Sequence, residues 1–351
     1  MTTSSGFVHS QASHCESGVM SAILRHHGLP LSEAMVFGLA STLAFAYLPF
    51  VKLSGLPLVS YRMPPGAIIR GLQKPLRFSM RRETFRSPEK GAARLDELLD
   101  AGRLAGLQVS VFWLPFMPPD FRFHFNAHNL LAYGRDRKSG DYLLSDPVLE
   151  NPVRCPAADL AKARFAKGAL APKGLIYYPG TPPREPDWRR VLPGAIKKTV
   201  RIMIHAPLPF IGVVGIERVA RAFERLPGAA DPQASKRYIG HLIRMQEEIG
   251  TGGAGFRFMY AAFLEEAAPL AACPALADLA AELVGIGDGW REFALATALM
   301  IRDRDPLDPR RLAALLREQA AREKTFFAAL GKAVRVRRRF RGADRAAQPE
   351  Q

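Results

Sequence analysis

Apolar positions fall into two regimes along this chain: a first half whose period changes from segment to segment, and a second half that stays helical. Behind Ser13-His14-Cys15-Glu16, the residues Val19, Met20, Ile23 and Leu24 recur at helical spacing until Gly28, which predicts a helix over 16–27. Pro30-Leu31-Ser32-Glu33 starts a second helix through about Gly38. Residues 41–61 are apolar without a clear period, so buried strand and irregular core are both open there, and Pro64-Pro65-Gly66 then turns the chain. Leu95, Leu98 and Leu99 mark an amphipathic helix over 91–104. Alternation over 107–113 predicts a half-buried strand. Two further strands, 128–133 and 141–145, flank the charged turn Arg135-Asp136-Arg137-Lys138-Ser139-Gly140, and a last short one covers 175–178. Helices followed by antiparallel strands make this half α+β.

Pro179-Gly180-Thr181-Pro182-Pro183 and Pro186 read as a linker. Beyond it, helices are expected at 193–205, 211–226, 235–248, 255–267, 273–285, 288–301 and 309–330, an all-α bundle. The expected division is therefore a first domain over 1–180, a linker over 181–192, a helical domain over 193–334, and a basic, disordered tail over 335–351.

Composition narrows the class. With 48% hydrophobic and 23% charged residues the chain is globular. Its three cysteines, Cys15, Cys155 and Cys273, are far apart and odd in number; they form neither a disulfide framework nor a zinc pattern, and a reducing, cytoplasmic setting is expected. Glu265-Glu266 and Asp303, Asp305 and Asp308 lack His or Cys support, so no metal is expected. The uncharged stretch 34–51 is interrupted by Gly38, Ser41, Thr42 and Pro49 and reads as core rather than as a membrane span; no secretory signal is apparent at the N-terminus. A formal charge of +16 calls for an acidic partner, with nucleic acid, anionic lipid and an acidic carrier protein all open on charge alone, and the run between Arg62 and Arg94 is its densest expression. No helix-turn-helix, zinc or aromatic-interleaved motif supports nucleic acid.

Three residues could carry chemistry together. Cys15 stands where a helix begins, a position that favours a thiolate. A thiol nucleophile needs a base, and the base needs an acceptor for its second ring nitrogen. His128 opens one predicted strand and Asp146 closes the next, so a hairpin would bring both to one edge of the sheet. His124, between Phe123 and Phe125, is the second-ranked base. His14 adjoins the thiol in sequence but diverges from it at a helix start, so it is assigned a local structural or acceptor-side role.

Ser13 to Ser17, the step Gly28-Leu29-Pro30-Leu31-Ser32-Glu33, Val36-Phe37-Gly38-Leu39, Phe45-Ala46-Tyr47 and the later His128 with Asp146-Pro147 resemble the N-terminal domain of the butirosin biosynthesis protein H (BtrH) family. The second half, with its run Ile249 to Tyr260, resembles the helical domain that accompanies it. The resemblance implies a papain-like thiol fold. It also implies an acyltransferase that moves an acyl group from the phosphopantetheine thioester of an acyl carrier protein onto a small amine, with no cofactor of its own. Cys15 would then take the acyl group, His128 would be the base and Asp146 its orienting partner. Thiol peptidases of this type place an oxyanion-hole Gln further upstream of the cysteine than Gln11 stands here, so Gln11 or the Cys15 backbone N–H is the candidate for that role. Arg77, Arg81 and Arg82 become candidate docking residues for the carrier.

Gly250-Thr251-Gly252-Gly253-Ala254-Gly255 formally matches a dinucleotide fingerprint, but a charged helix rather than a strand precedes it, which excludes that reading. Two readings stay open: the glycines break one helix from the next, or they bring the following helix start to the acceptor or to the phosphopantetheine phosphate. In the second, Gly252, Gly253, Arg257 and Tyr260 would be substrate contacts. The rivals to a transferase are a thiol hydrolase with water as acceptor and a non-catalytic basic binding protein.

Overall fold

A computed structural model describes all residues except 1, 4, 5, 54, 249 and 345–351. Along it run β1 (Thr2–Thr3), α1 (Cys15–His26), α2 (Glu33–Leu39), β2 (Leu43–Leu53), β3 (Leu56–Arg62), α3 (Ala67–Gln73), β4 (Ser79–Glu83), α4 (Pro88–Asp100), β5 (Ala105–Val109), β6 (His128–Arg135), β7 (Tyr142–Ser145), β8 (Val153–Cys155), α5 (Ala157–Arg164) and β9 (Ile176–Thr181). Helices then follow: α6 (Trp188–Ile204), α7 (Val213–Glu224), α8 (Pro232–Glu247), α9 (Arg257–Leu270), α10 (Ala275–Ile301) and α11 (Pro309–Asp344). The architecture is α+β. It divides into two compact units, and the division is not contiguous: Met1–Val36 with Pro65–Pro186, and Phe37–Pro64 with Asp187–Gln351.

The first unit is built on one antiparallel sheet in the order β4-β9-β5-β6-β7-β8, with β1 beside β6. The expected hairpin is present: β6 and β7 pair with Leu131 opposite Ser145 and Ala132 opposite Leu144. One face is dry. Leu95, Leu98 and Leu99 of α4, placed by the 3.6-residue period, pack on Leu107, Val109, Leu130, Leu144, Ile176 and Tyr178. Helix α4 starts where Ser87 accepts the Lys90 amide and Pro88 fills the first turn. Helix α1 packs against β6. The strand expected over 107–113 ends at Val109, because the Ser110 and Val111 amides leave the ladder for the carbonyls of Ala163 and Phe125; Val111–Trp113 is a 3₁₀ turn. Residues 62–94, read as a basic surface run, also contain α3 and β4, and β4 is an edge strand paired with β9.

The second unit corrects the all-α expectation, because its helices α6 to α11 fold together with the β2–β3 hairpin drawn from the first half of the sequence. The ambiguous apolar stretch is that hairpin. Phe45 of β2 packs edge-on against Tyr61 of β3, and both rings lie against Trp290 of α10. Residues 273–301 form one helix over Ala275–Ile301 where two were expected, since its glycines are spacers rather than stops: a Cβ on Gly287 would sit 2.5 Å from the Phe258 ring. Helix α11 continues to Asp344, so the first ten residues of the expected disordered tail are helical; the remainder, 345–351, lies outside the described residues. Among the described residues no helix is long and apolar enough to cross a membrane.

Candidate active site

Cys15 is the first residue of α1, and three features fix where that helix begins. His14 is its N-cap and accepts the Ser17 amide on Nδ1 at 3.3 Å. The Ser13 and His14 amides donate to the Glu33 carboxylate at 2.8 and 2.7 Å, and the Ser17 hydroxyl donates to it at 2.9 Å. Burial pushes the Glu33 carboxyl up from the usual carboxylate range, against the pull of these same hydrogen bonds. Glu16, fully buried next to the thiol, turns its carboxylate to the start of α3 and accepts the amides of Gly66, Ile68 and Ile69 at 3.0, 3.0 and 3.3 Å. The loop before Cys15 and the helix after it are therefore held by two acids, Glu16 buried and Glu33 partly buried, to which sequence reasoning gave no such role.

The same helix is brought against the Asp146 turn by a missing side chain. A Cβ on Gly18 would lie 2.5 Å from Pro147 Cβ and 2.7 Å from Ala12 Cβ, so only glycine permits this approach. The Ala12 amide donates to the Pro147 carbonyl at 2.7 Å, and His9 bridges Ser145 Oγ and the Leu149 carbonyl at 2.7 and 3.1 Å. Asp146 Oδ1 accepts the Val148 amide at 3.2 Å. Its Oδ2 accepts His128 Nε2–H at 2.6 Å, a charge-assisted length. With Nε2 committed, Nδ1 is the nitrogen His128 has for the Cys15 sulfur, whose hydrogen bond acts on the imidazole. All three are buried, at 7% exposure for Cys15, 6% for His128 and none for Asp146. Burial opposes a charged His128, but the charge and hydrogen bond of Asp146, together with the Cys15 sulfur, outweigh it and push the imidazole up to about 10. His128 and Asp146 thus meet as expected of the hairpin, and the Cys15 sulfur interacts with the same imidazole.

A fourth polar residue joins them. Asn129 Nδ2 lies 3.9 Å from Cys15 Sγ and 3.1 Å from the Ala127 carbonyl, while its Oδ1 accepts the Tyr177 hydroxyl at 3.0 Å. Sequence reasoning missed it, although a His-Asn pair opening an otherwise apolar strand was a visible signal.

The other candidates are placed differently. His124 stacks on Phe112 with ring centroids 4.0 Å apart and is exposed, as loop packing required. Gln11 is exposed, and its amide points to the Val148 carbonyl at 3.5 Å, the limit of a hydrogen bond. Arg77, Arg81 and Arg82 are exposed, the last two on edge strand β4 with Arg82 opposite Tyr177 in register. In the glycine-rich loop, within the second unit, Thr251, Ala254 and Gly255 are buried, Gly253 is half-buried and Gly252 is exposed. Gly253 donates to Thr251 Oγ1 and Ala254 to Glu247 Oε1, both at 3.1 Å, and a Cβ on Gly255 would strike the Tyr61 ring at 2.2 Å. Gly252 and Gly253 take φ values of 67° and 87°, which glycine alone adopts without strain.

Arg257 and Tyr260 have no exposed surface, which corrects their assignment as substrate contacts. Arg257 donates to both Glu323 oxygens at 2.8 and 3.0 Å and to the Gly255 carbonyl at 2.7 Å, with Tyr61 and Trp290 rings over its guanidinium. It closes the core of that unit. Among the described residues no group of three or more His, Cys, Asp or Glu side chains is arranged to hold a metal ion.

A thiol, an imidazole and a carboxylate in this order define a thiol-nucleophile arrangement. Residues 14–147, which contain all three, match the family model described as Butirosin biosynthesis protein H, N-terminal. Residues 158–330 match the model described as Domain of unknown function (DUF4872), so the chain has the layout of a BtrH-type N-terminal domain followed by a helical domain. No curated protein matches the chain.

Proposed function

We propose that the chain is a biosynthetic acyltransferase that moves an acyl group from the thioester of an acyl carrier protein to a small amine through an acyl-Cys15 intermediate. The observation that carries this reading is the 2.6 Å contact of His128 Nε2 with Asp146, which leaves Nδ1 for the thiol at the start of α1. A buried imidazolium next to a thiol at a helix N-terminus favours the thiolate. Cys15 attacks the thioester carbonyl, His128 gives its proton to the departing phosphopantetheine thiol, and then accepts one from the amine that displaces Cys15. The match of residues 14–147 to a biosynthesis family supports transfer over hydrolysis, and a papain-like arrangement of the first unit accords with a nucleophile on a helix and a base on a strand. The carrier is acidic in this reading and meets the exposed Arg77, Arg81 and Arg82 at the β4 edge, which raises its on-rate at low salt. Its phosphopantetheine arm is the only cofactor the reaction needs.

Intact mass of the protein after mixing with an acyl-loaded carrier protein tests the reading. An added acyl mass is expected on the native chain and none on Cys15→Ala, with amide formation falling at least about 10³-fold. An adduct discharged by amines supports the transferase, and one discharged only by water supports the hydrolase. Equal turnover in the variant would refute a thiol mechanism.

A further inference from the structure

We infer that Asn129 supplies a side-chain N–H to the oxyanion formed when Cys15 is acylated, and that Tyr177 is the positioning residue that aims it; this rests on the acyl-cysteine reading above. The orientation of the amide is dictated by its neighbours. The Ala127 carbonyl can only accept, so the nitrogen of Asn129 must face it at 3.1 Å, which puts the oxygen under the Tyr177 hydroxyl at 3.0 Å. One N–H is thereby used, and the second points along the 3.9 Å line to Cys15 Sγ. That length is at the outer limit for a sulfur acceptor, too long for a strong hold on the thiolate. It leaves room for an oxygen on the carbon that bonds to Sγ, where a neutral donor in a dry site acts on charge that develops only during the reaction.

Tyr177 is arranged for this one contact. Its ring lies where a side chain on Gly106 would be, since a Cβ there would come within 2.1 Å of it, and the residue has no exposed surface. Burial, with the negative charges of Glu16 and Cys15 beside it, pushes the phenol well up, so it stays a donor at any working pH. Gln11, the upstream candidate for the same task, faces Val148 instead.

In the step itself the thiolate pair forms the S–C bond to the donor carbonyl, the C=O π pair moves onto oxygen, and Asn129 N–H bonds the resulting oxyanion. As that pair returns, the bond from carbon to the donor sulfur breaks and the leaving thiolate takes the proton of the His128 imidazolium. Acylation thus passes through an oxyanion. Alkylation of the same thiol by iodoacetamide is displacement at a tetrahedral carbon and does not.

The two reactions, followed by intact mass on the full-length protein, separate the roles. The probes are N-acetylcysteamine thioesters from acetyl to octanoyl and, separately, iodoacetamide. In Asn129→Ala and in the isosteric Asn129→Asp, acylation is expected to slow about 10²- to 10³-fold, as for loss of an oxyanion donor. Alkylation of Asn129→Ala should stay within about threefold of native, and in the same sample it reports a folded site. Tyr177→Phe should lower the kcat of acylation about tenfold with KM unchanged, the size of one lost hydrogen bond. Equal falls in acylation and alkylation would make Asn129 a support of the thiol and overturn the proposal. Acylation of Asn129→Ala at the native rate would do the same while leaving acyl-Cys15 standing. A native protein that alkylates at Cys15 but takes no acyl group from any thioester would overturn the acyl-cysteine reading, and this inference with it.

Discussion

Each unit buries a carboxylate against a cationic side chain, and the two pairs differ in what is left over. In the second unit, Arg257 spends Nε and one terminal nitrogen on Glu323 and the other on the Gly255 carbonyl, and Trp290 Nε1 adds a donor to Glu323 at 2.6 Å. Both partners have no exposed surface, and aromatic rings close over the guanidinium. Every direction in which that pair could act is used by the protein itself. In the first unit, Asp146 is equally buried, but it holds only one end of His128, and the other end meets the Cys15 sulfur. Burial and ion pairing do not distinguish a site from a core. The distinction is whether the network terminates in an atom with a reaction to offer.

The largest effect expected from that difference is at Asp146. Asp146→Asn removes the charge that does most to raise His128, so burial weighs against the Cys15 sulfur alone, the imidazole is lowered and the wrong tautomer competes; acyl transfer should fall about 10³- to 10⁴-fold. The sign of the pH dependence follows. His128 is raised from 6.5 to about 10, so its contribution to stability is complete below pH 6.5 and is lost as pH rises through 10. Thermal melts should show native protein exceeding Asp146→Asn most below pH 6.5, with the gap closing toward pH 10. A gap that widens with pH would contradict a protonated His128.

At Glu323 the expected loss is of stability and not of chemistry. Glu323→Gln leaves Arg257 charged and uncompensated in a dry core, which costs about 3–5 kcal/mol of folding free energy in denaturant titration. If the variant kept native stability and lost acyl transfer, the pair would belong to the site and the contrast between the two units would fail.

How far the sequence foretold this contrast depended on the range of the forces involved. The β6–β7 hairpin was legible because alternating strands and a charged turn are local signals, and the hairpin carries His128 and Asp146 with it. The start of α1 was legible for the same reason. Membership of the β2–β3 hairpin in the second unit was not, since no local pattern tells residues 43–62 to pack with helices beyond 187. Arg257 illustrates the same limit: a charged residue at a helix start reads as ligand-facing until its partner Glu323, far along the chain, is placed. Asn129 went unnoticed because its meaning depends on Tyr177 and on the gap left by Gly106.

The smallest effect separates two amides. Gln11 and Asn129 are both neutral donors that sequence or geometry could assign to the oxyanion, and they differ in constraint. Asn129 is 4% exposed and fixed at both ends of its amide, whereas Gln11 is exposed and makes one contact at 3.5 Å. A donor contributes to catalysis in proportion to how little it must reorganise, so the held amide is expected to act and the solvated one is not. Gln11→Ala should therefore change kcat and KM for acyl transfer by less than about twofold, within the range of surface substitutions. A loss approaching that of Asn129→Ala would mean that Gln11 swings to the thiol when substrate arrives. The oxyanion would then be held from the segment before α1 rather than from β6, and the site would be completed by binding instead of standing ready in the fold.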